Sequence, residues 1–298
     1  MADFLIRGLA GGGSVRFTAV QTADMVERMR GIHHTLPLAT AALGRALTAA
    51  SIMGDDIKSE DGSITLQFRG GGPLGVITAV ADSHGNTRGY LQNPAVELPL
   101  RPDGKLDVGG GVGCDGVLTV IRDLGEGEPF TGKVELRSGE IAEDIAAYYA
   151  VSEQIPTVCA LGVLVRRDQS VDCAGGFLIQ LMPGAPDAII DELESRMAGF
   201  GNITARLQGG DIEHVMLELL DGLDCEVLER HAVAYQCKCS RRKVEQALVS
   251  MGREELLRLA DEQPQAHVQC QFCDADYVFS ADDIRRLADG QKNPEKSK

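Results

Sequence analysis

Hydrophobic and polar residues follow two spacings along the first 183 residues. Alternation with a period of two is typical of strands with one buried face, and apolar residues three and four apart are typical of amphipathic helices. Alternation predicts strands at residues 15–20 and 64–68, and further runs of strand length predict strands at residues 76–80, 88–92, 117–121, 133–136, 161–166 and 176–182. Residues 22–31 and 38–53 are predicted to be helices, the second rich in Ala and Leu, and Ser138 is predicted to cap a helix that continues to about residue 153. We therefore predict an α+β fold, with residues 1–183 as an N-terminal domain of mixed sheet and helix.

The pattern changes at residue 184, where two amphipathic helices are predicted over residues 187–197 and 211–220. Residues 187–229 contain eleven acidic side chains and two basic ones. Short helices with such one-sided charge are weak alone, so we predict that residues 184–236 are an acidic helical linker that needs its neighbours for order. An ordinary helical subdomain fits the same pattern. The apolar faces of the two helices consist of Ile189, Ile190, Leu193, Met197, Val215, Met216, Leu219 and Leu220.

Residues 237–290 predict a third, small domain. Ser240 is placed to cap a helix that ends near Gly252, and a second helix covers residues 253–261. Residues 267–270 and 277–279 predict a hairpin, and Ser280 with Asp283 predicts a capping box for a helix over residues 281–288. We expect residues 291–298 to form a flexible tail.

Composition and charge narrow the function. The chain has 298 residues, 44% of them hydrophobic and none of them Trp, so aliphatic side chains must build the core. A net charge of −15 argues against a nucleic-acid partner, because such affinity comes largely from cations that neutralise phosphates. The most apolar stretch, residues 36–53, contains Arg45 and several hydroxyl groups, so we expect a buried helix and no membrane span. The first residues lack the features of a secretory signal, and we expect a cytoplasmic protein.

Four of the eight cysteines form two close pairs, Cys237-x-Cys239 and Cys270-x-x-Cys273. Cytosolic thiols stay reduced, and four thiolates match the tetrahedral preference of zinc while excluding magnesium, calcium and manganese. We therefore predict one Zn²⁺ per chain, which would supply much of the folding energy of this small domain. The alternative, that the cysteines are small buried apolar residues, does not explain their clustering. His267 is an alternative ligand, although four cysteines already complete the shell.

Three other features carry less weight. The glycine-rich run at residues 111–116 matches G-x-G-x-x-G but precedes a predicted strand, so we interpret it as a turn and not a dinucleotide site. The basic run at residues 241–243 either offsets the charge of a zinc tetrathiolate or is an exposed helix face. Cys159 is expected in the core, and no role is assigned to Cys114, Cys173 or Cys225.

Several stretches together resemble one protein family. They are Leu43-Gly44-Arg45, Leu47-Thr48-Ala49, Gly71-Gly72-Pro73-Leu74-Gly75, Arg88-Gly89-Tyr90, Gly104-Lys105-Leu106, Ser152-Glu153-Gln154, the run from Ala174 to Gln180, Cys237-x-Cys239-Ser240-Arg241 and Cys270-x-Phe272-Cys273. Through them the chain resembles the bacterial redox-regulated 33 kDa heat-shock chaperones, the 33 kDa chaperonin family, over nearly its whole length. The family often has Glu where this chain has Arg242, a more cationic site.

The resemblance implies a non-enzymatic, ATP-independent holdase that is inactive when reduced and zinc-bound. It implies that oxidation forms two disulfides, Cys237–Cys239 and Cys270–Cys273, with release of zinc. The small domain and the linker would then unfold, and the protein would form a homodimer that binds unfolding client proteins. The eight apolar linker residues are our candidates for client binding, because exposed apolar surface binds other exposed apolar surface.

Two other classes of function remain open at this point. A zinc-ribbon module would bind nucleic acid or a protein partner, and the run at residues 241–243 is its candidate basic face. A thiol oxidoreductase would use Cys270 and Cys273, but that chemistry places C-x-x-C at the start of a helix after a strand. Here a second strand is predicted to follow.

Overall fold

The structure is a computed structural model, and it describes residues 2–290. The predicted tail at residues 291–298 lies outside the described residues. The chain divides into two compact units: the first ends at Gln236 and the second begins at Cys237. Within residues 2–290, no helix has both the length and the apolar character needed to span a membrane. The predicted α+β fold class is confirmed by the arrangement of helices and sheets.

The first unit contains ten strands and seven α-helices among its described residues. In chain order they are β1 Phe4–Ala10, β2 Val15–Gln21, α1 Ala23–His33, α2 Pro37–Asp55, β3 Ser63–Arg69, β4 Ile77–Asp82, β5 Thr87–Leu91, α3 Val108–Val112, β6 Val117–Asp123, β7 Phe130–Glu135, α4 Ile141–Tyr148, β8 Thr157–Val165, β9 Val171–Leu181, α5 Asp187–Phe200, α6 Ile203–Gly209, α7 Ile212–Leu219 and β10 Glu226–Ala232.

Two five-stranded antiparallel sheets frame this unit. Their strand orders are β10-β1-β2-β9-β8 and β5-β4-β3-β6-β7. Helix α2 packs against strands of both sheets, and Arg45 is the only residue between Leu38 and Asp55 that is not buried. The helix is rich in Ala, and a Cβ at Gly44 would approach Val26 and Val163 within 3 Å. Small side chains therefore let this helix lie at the centre of the main core.

A second core covers the other face of the first sheet. Alternate residues of its strands, such as Phe17 on β2 and Phe177 on β9, pack against helices α5, α6 and α7. Strand β10 then joins the edge of this sheet by antiparallel pairing with β1. The linker predicted at residues 184–236 thus contributes three helices and one strand to the first unit.

Several local predictions were wrong or incomplete. Strands β1 and β10 and helix α6 were not predicted, and the run at residues 111–116 begins within the short helix α3 before turning into β6. The helix predicted at residues 138–153 begins only at Ile141 and ends in a π-helical turn, Tyr149–Glu153. Glu140 is the residue at its N-cap, so Ser138 lies two residues too early; the Ser138 Oγ accepts a hydrogen bond from the backbone N–H of Glu140 (3.2 Å) and from no N–H inside the helix.

The second unit follows its predicted pattern. It consists of α8 Arg241–Val249, α9 Arg253–Glu262, β11 Gln265–Gln269, β12 Asp276–Ser280 and α10 Ala281–Gly290. Ser280 Oγ accepts a hydrogen bond from the Asp283 N–H (3.2 Å), and the Ser280 N–H donates to Asp283 Oδ2 (3.0 Å), which confirms the capping box. The buried core is small: Leu248, Leu256, Ala260, Ala266, Phe279, Ile284 and Ala288.

Candidate metal centre

The four paired cysteines lie together in the second unit. Their Sγ atoms are all within 4.8 Å of one another. The separation is 3.7 Å between Cys237 and Cys270 and 3.4 Å between Cys239 and Cys273. A tetrahedral ion with metal–sulfur bonds of about 2.3 Å has sulfur–sulfur edges of about 3.8 Å. The donor set and its spacing therefore fit a single tetrahedral metal ion.

Local backbone structure positions the sulfurs. Cys270 and Cys273 lie in the turn between β11 and β12, where Asp274 donates its N–H to the Cys270 carbonyl (2.9 Å) and adopts a left-handed φ of 62°. On the other side, Ser240 caps α8 by accepting a hydrogen bond from the Lys243 N–H at 3.3 Å, as predicted. This cap, on the residue that follows Cys239, fixes the start of α8. A tight hairpin turn and a helix start together hold the two pairs in place.

Neighbouring groups shift the pKa values of these thiols in opposite directions. Burial raises the pKa of Cys237 and that of Cys273. Burial also opposes ionisation of Cys239, but hydrogen bonds from Tyr277 Oη, at 3.1 Å, and from the other thiols outweigh it and lower the pKa of Cys239 to about 7. Four adjacent thiols cannot all ionise without a counter-charge, and a dication supplies one.

The basic run and the histidine lie outside this donor set. Arg241 forms ion pairs with Glu245 (3.3 Å) and Asp283 (3.5 Å), and its guanidinium lies 4.2 Å from the centre of the Phe279 ring. Its charge is therefore already partnered by carboxylates. His267 Nδ1 is 2.8 Å from an Asp276 carboxylate oxygen and does not join the cysteine cluster.

The eight candidate client-binding residues lie in or beside the second core of the first unit. Five of them are buried: Leu193, Val215, Met216, Leu219 and Leu220. Ile189 and Met197 are partly buried against the same core, and Ile190 lines a neighbouring groove with Leu181 and Pro183. Sequence reasoning missed other members of this cluster, although Phe200, Ile203 and Leu207 follow helical spacing.

The remaining cysteines are not part of the cluster. Cys159 is half-buried on β8, and burial raises its pKa. Cys173 is buried with its Sγ 3.5 Å from the Thr204 carbonyl, and burial raises its pKa to about 11. Cys225 is half-buried, and Cys114 is exposed.

Comparison with known proteins decides the family. The family model described as "Hsp33 protein" matches residues 3–280. The chain belongs to the Hsp33 family. The resemblance found in the sequence is thereby confirmed, and the family supports a chaperone function.

Individual Hsp33 relatives cover almost the whole chain. A 33 kDa chaperonin from Clostridium perfringens is 46% identical over 289 residues, 96% of this chain and 91% of the relative. One from Clostridioides difficile is 45% identical over 288 residues, 96% of this chain and 99% of the relative. The crystal structure of the 33 kDa chaperonin (heat shock protein 33 homolog) from Thermotoga maritima superposes with a TM-score of 0.90 at 36% identity, covering 98% of this chain and 99% of that one. These names describe chaperonins, a non-enzymatic role.

Proposed function

We propose that this protein is a redox-regulated, ATP-independent holdase that acts in the cytoplasm. The reduced form holds one Zn²⁺ through Cys237, Cys239, Cys270 and Cys273 and does not bind clients. Oxidation releases the ion and activates the protein. The observation that carries this proposal is the cluster of four sulfurs within 4.8 Å in a unit with a very small core.

The chemical step is a pair of thiol oxidations. Each disulfide forms when two thiols lose two protons and two electrons, which reduce one peroxide to two waters. We propose the pairs Cys237–Cys239 and Cys270–Cys273, which the family resemblance implies. Because Cys239 and Cys273 are also only 3.4 Å apart, peptide mapping of the oxidised protein is the direct test of this pairing. A cross-linked peptide joining residues 239 and 273 would contradict it.

Loss of the ion destabilises the second unit because its core alone is small. A disulfide removes two ligands at once, and the folding energy that the metal supplies is lost with them. Gln236, the last residue of the first unit, directly precedes Cys237. Its N–H donates a hydrogen bond to the Thr87 carbonyl (2.7 Å), which fixes the end of the linker to the first unit. We propose that unfolding of the second unit loosens this end and exposes the apolar face of the linker helices.

Client protection tests the proposal. Light scattering from a thermally unfolding client is measured with reduced, zinc-loaded protein and with peroxide-treated protein. We expect suppression only by the oxidised protein, which should sediment as a homodimer. Equal suppression by both forms would rule out the switch. Tight, salt-sensitive binding of DNA or RNA would instead favour a zinc-ribbon function.

Zinc and thiol counts supply an independent check. We expect about one zinc and four thiols to be lost per chain on peroxide treatment. Zinc that remains bound after the thiols are oxidised would contradict the proposed mechanism.

A further inference from the structure

Strand β8 is an edge strand with unused backbone hydrogen-bonding groups. It pairs with β9 on one side and ends the first sheet on the other. The Ala174 carbonyl of β9 accepts a hydrogen bond from the Thr22 N–H, and the Met182 N–H, just beyond the end of β9, donates to the Ser14 carbonyl. The backbone N–H and C=O groups of even-numbered β9 residues therefore point toward β2, and those of odd-numbered residues point toward β8. By the antiparallel register, the outward residues of β8 include Cys159, Leu161 and Val163. Within residues 2–290, no hydrogen bond outside the sheet reaches the backbone of these three residues.

A cleft of about 860 Å³ lies along this edge. Residues 161–165 of β8 line it, together with Gly201, Asn202 and Thr204 at the start of α6. It is also lined by Pro37 and Arg45 of α2, by residues 140–143 at the start of α4 and by the loop before α3, and its apolar side chains include Leu100, Leu106 and Ala142. Leu100 is 60% exposed. A strand edge that has no partner strand among residues 2–290 and that lines a partly apolar cleft is the arrangement that takes an extended peptide as an additional strand.

The charge of the cleft differs from that of the chain. Four cations line it, Arg45, Arg101, Lys105 and Arg167, against the two acids Glu140 and Glu143, whereas the chain carries −15. Arg45 pairs with Glu140 through one terminal nitrogen (2.7 Å), but its buried Nε has no hydrogen-bond partner among residues 2–290. Two stretches that carry the family resemblance, ending in Arg45 and centred on Lys105, converge here. Asp103, in the same loop, also pairs with Arg101 (3.9 Å) and Lys105 (3.7 Å), which leaves four cations against three acids. This small excess of cations favours a peptide that carries a carboxylate.

We infer that the β8 edge cleft binds an extended segment of the unfolding client by strand addition, with an acidic client side chain at the cationic border. This inference rests on the proposed holdase activity, since it specifies which part of the client is held. Pairing through the client backbone is independent of sequence, which suits a chaperone with varied clients. If the linker unfolds on oxidation, the cleft loses its α6 border and becomes more accessible.

Peptide binding to the intact protein tests the inference. The probe is a fluorescent peptide of about ten residues, matched to strand length, with alternating valine and threonine and one central glutamate. Fluorescence anisotropy is measured with oxidised, full-length protein. A second peptide carries N-methyl groups on two successive central residues. Because the N–H groups of successive residues point to opposite edges of a strand, this peptide cannot pair normally through either edge. We expect the methylated peptide to bind about tenfold more weakly, because backbone donors are lost while the side chains stay.

A matched pair of charge reversals locates the site. Lys105→Glu changes the cleft border, and Lys133→Glu changes an exposed lysine on β7 in the other sheet. We expect several-fold weaker peptide binding for Lys105→Glu and none of that loss for Lys133→Glu. Amide hydrogen exchange at Cys159, Leu161 and Val163 should slow when the peptide binds. Equal affinity for both peptides, or unchanged exchange along β8, would overturn the edge site. A failed redox switch would instead appear as equal client protection by both forms, so the two failures are distinguishable.

Discussion

At the scale of single residues, the four clustered sulfurs depend on one another. The four sulfur atoms lie within 4.8 Å of one another, and a dication held between them would be coordinated by all four. Cys239 is central, because it contacts Cys273 and accepts the hydrogen bond from Tyr277. A site that needs all four ligands should respond strongly to the loss of any one.

Replacing one ligand tests this dependence. We expect Cys239→Ser to bind zinc at least tenfold more weakly, because a neutral hydroxyl replaces a thiolate. Zinc per chain is measured after dialysis against a competing chelator. Cys114→Ser is the matched control, since Cys114 is exposed and outside the cluster. Full zinc retention by Cys239→Ser would remove this residue from the ligand set.

A second residue links stability to pH. Asp3 is buried and accepts hydrogen bonds from the backbone N–H groups of Asp24 (3.1 Å) and Met25 (2.6 Å) at the start of α1. Burial outweighs these bonds and raises the pKa of Asp3 from 3.8 to about 7. The folded protein therefore holds this proton more tightly than the unfolded chain does. Protonated Asp3 therefore contributes to the free energy of unfolding. This contribution is fully present below pH 3.8 and is lost as the pH rises to about 7.

Asp3→Asn should flatten this pH dependence. The free energy of unfolding of the wild type should fall between about pH 4 and pH 7 by on the order of a few kcal/mol more than that of the variant. Denaturant unfolding of the reduced protein at several pH values gives both slopes. Asp115→Asn, at an exposed carboxylate in another part of the fold, is the control. Parallel slopes for wild type and Asp3→Asn would contradict the assignment.

At the scale of elements, the linker helices are folded because the first sheet covers their apolar faces. Helix α7 places Val215 and Met216 in the second core while Leu217 remains 43% exposed. Burial of these faces, and not the intrinsic stability of seven- to fourteen-residue helices, holds the linker in place. Weaker packing should therefore release the linker without oxidation.

Neighbouring residues on α7 provide the comparison. We expect Met216→Ala to destabilise the linker by about 2–5 kcal/mol, because it leaves a cavity in a fully buried site. Leu217→Ala should change stability by less than about 0.5 kcal/mol. The rate of limited proteolysis within residues 184–236 measures how well the linker is packed. Light scattering from an unfolding client, measured with the reduced variant, measures chaperone activity. Under the proposed function, only Met216→Ala should protect clients when reduced. If the linker is cut faster but clients are not protected, the linker face is not their binding surface.

At the scale of the whole molecule, the two units differ greatly in the size of their cores. The first unit buries two extensive clusters around its sheets, whereas the second buries seven apolar residues within residues 237–290. Under the proposed function, a core this small makes the second unit depend on a bound metal, which supplies on the order of 10 kcal/mol in comparable sites. We therefore expect the first unit to stay folded without a metal and the second unit to require one.

Metal removal under reducing conditions should separate the two. With a chelator and a thiol reductant, we expect fast amide hydrogen exchange across residues 237–290 and persistent protection in α2 and the strands around it. Mass spectrometry of the exchanged protein resolves these regions. Restoring zinc should restore protection. Protection of the second unit without metal would mean that its apolar core suffices.

The fold could be predicted from sequence where one local pattern dominates. Helix α2, the hairpin of the second unit and the Ser280–Asp283 capping box were all predicted, because spacing and end residues agree there. Strand β10 could not be predicted, because its sequence Glu-Val-Leu-Glu-Arg-His-Ala has no clear apolar face. It is a strand because β1 offers a free edge at that place.

The sequence by itself determined the family, the α+β class and which four cysteines are the candidate metal ligands. Residue identity and spacing carry this information locally. Only the tertiary structure decided that the sulfurs of both pairs lie within 4.8 Å, and that most of the apolar linker residues are buried on the first sheet. Only the sheet order shows that, among residues 2–290, β8 has no partner strand on its outer edge and that a cleft with an excess of cations lies beside it. These features depend on which distant segments meet, and that is set by competition among all possible packings of the chain.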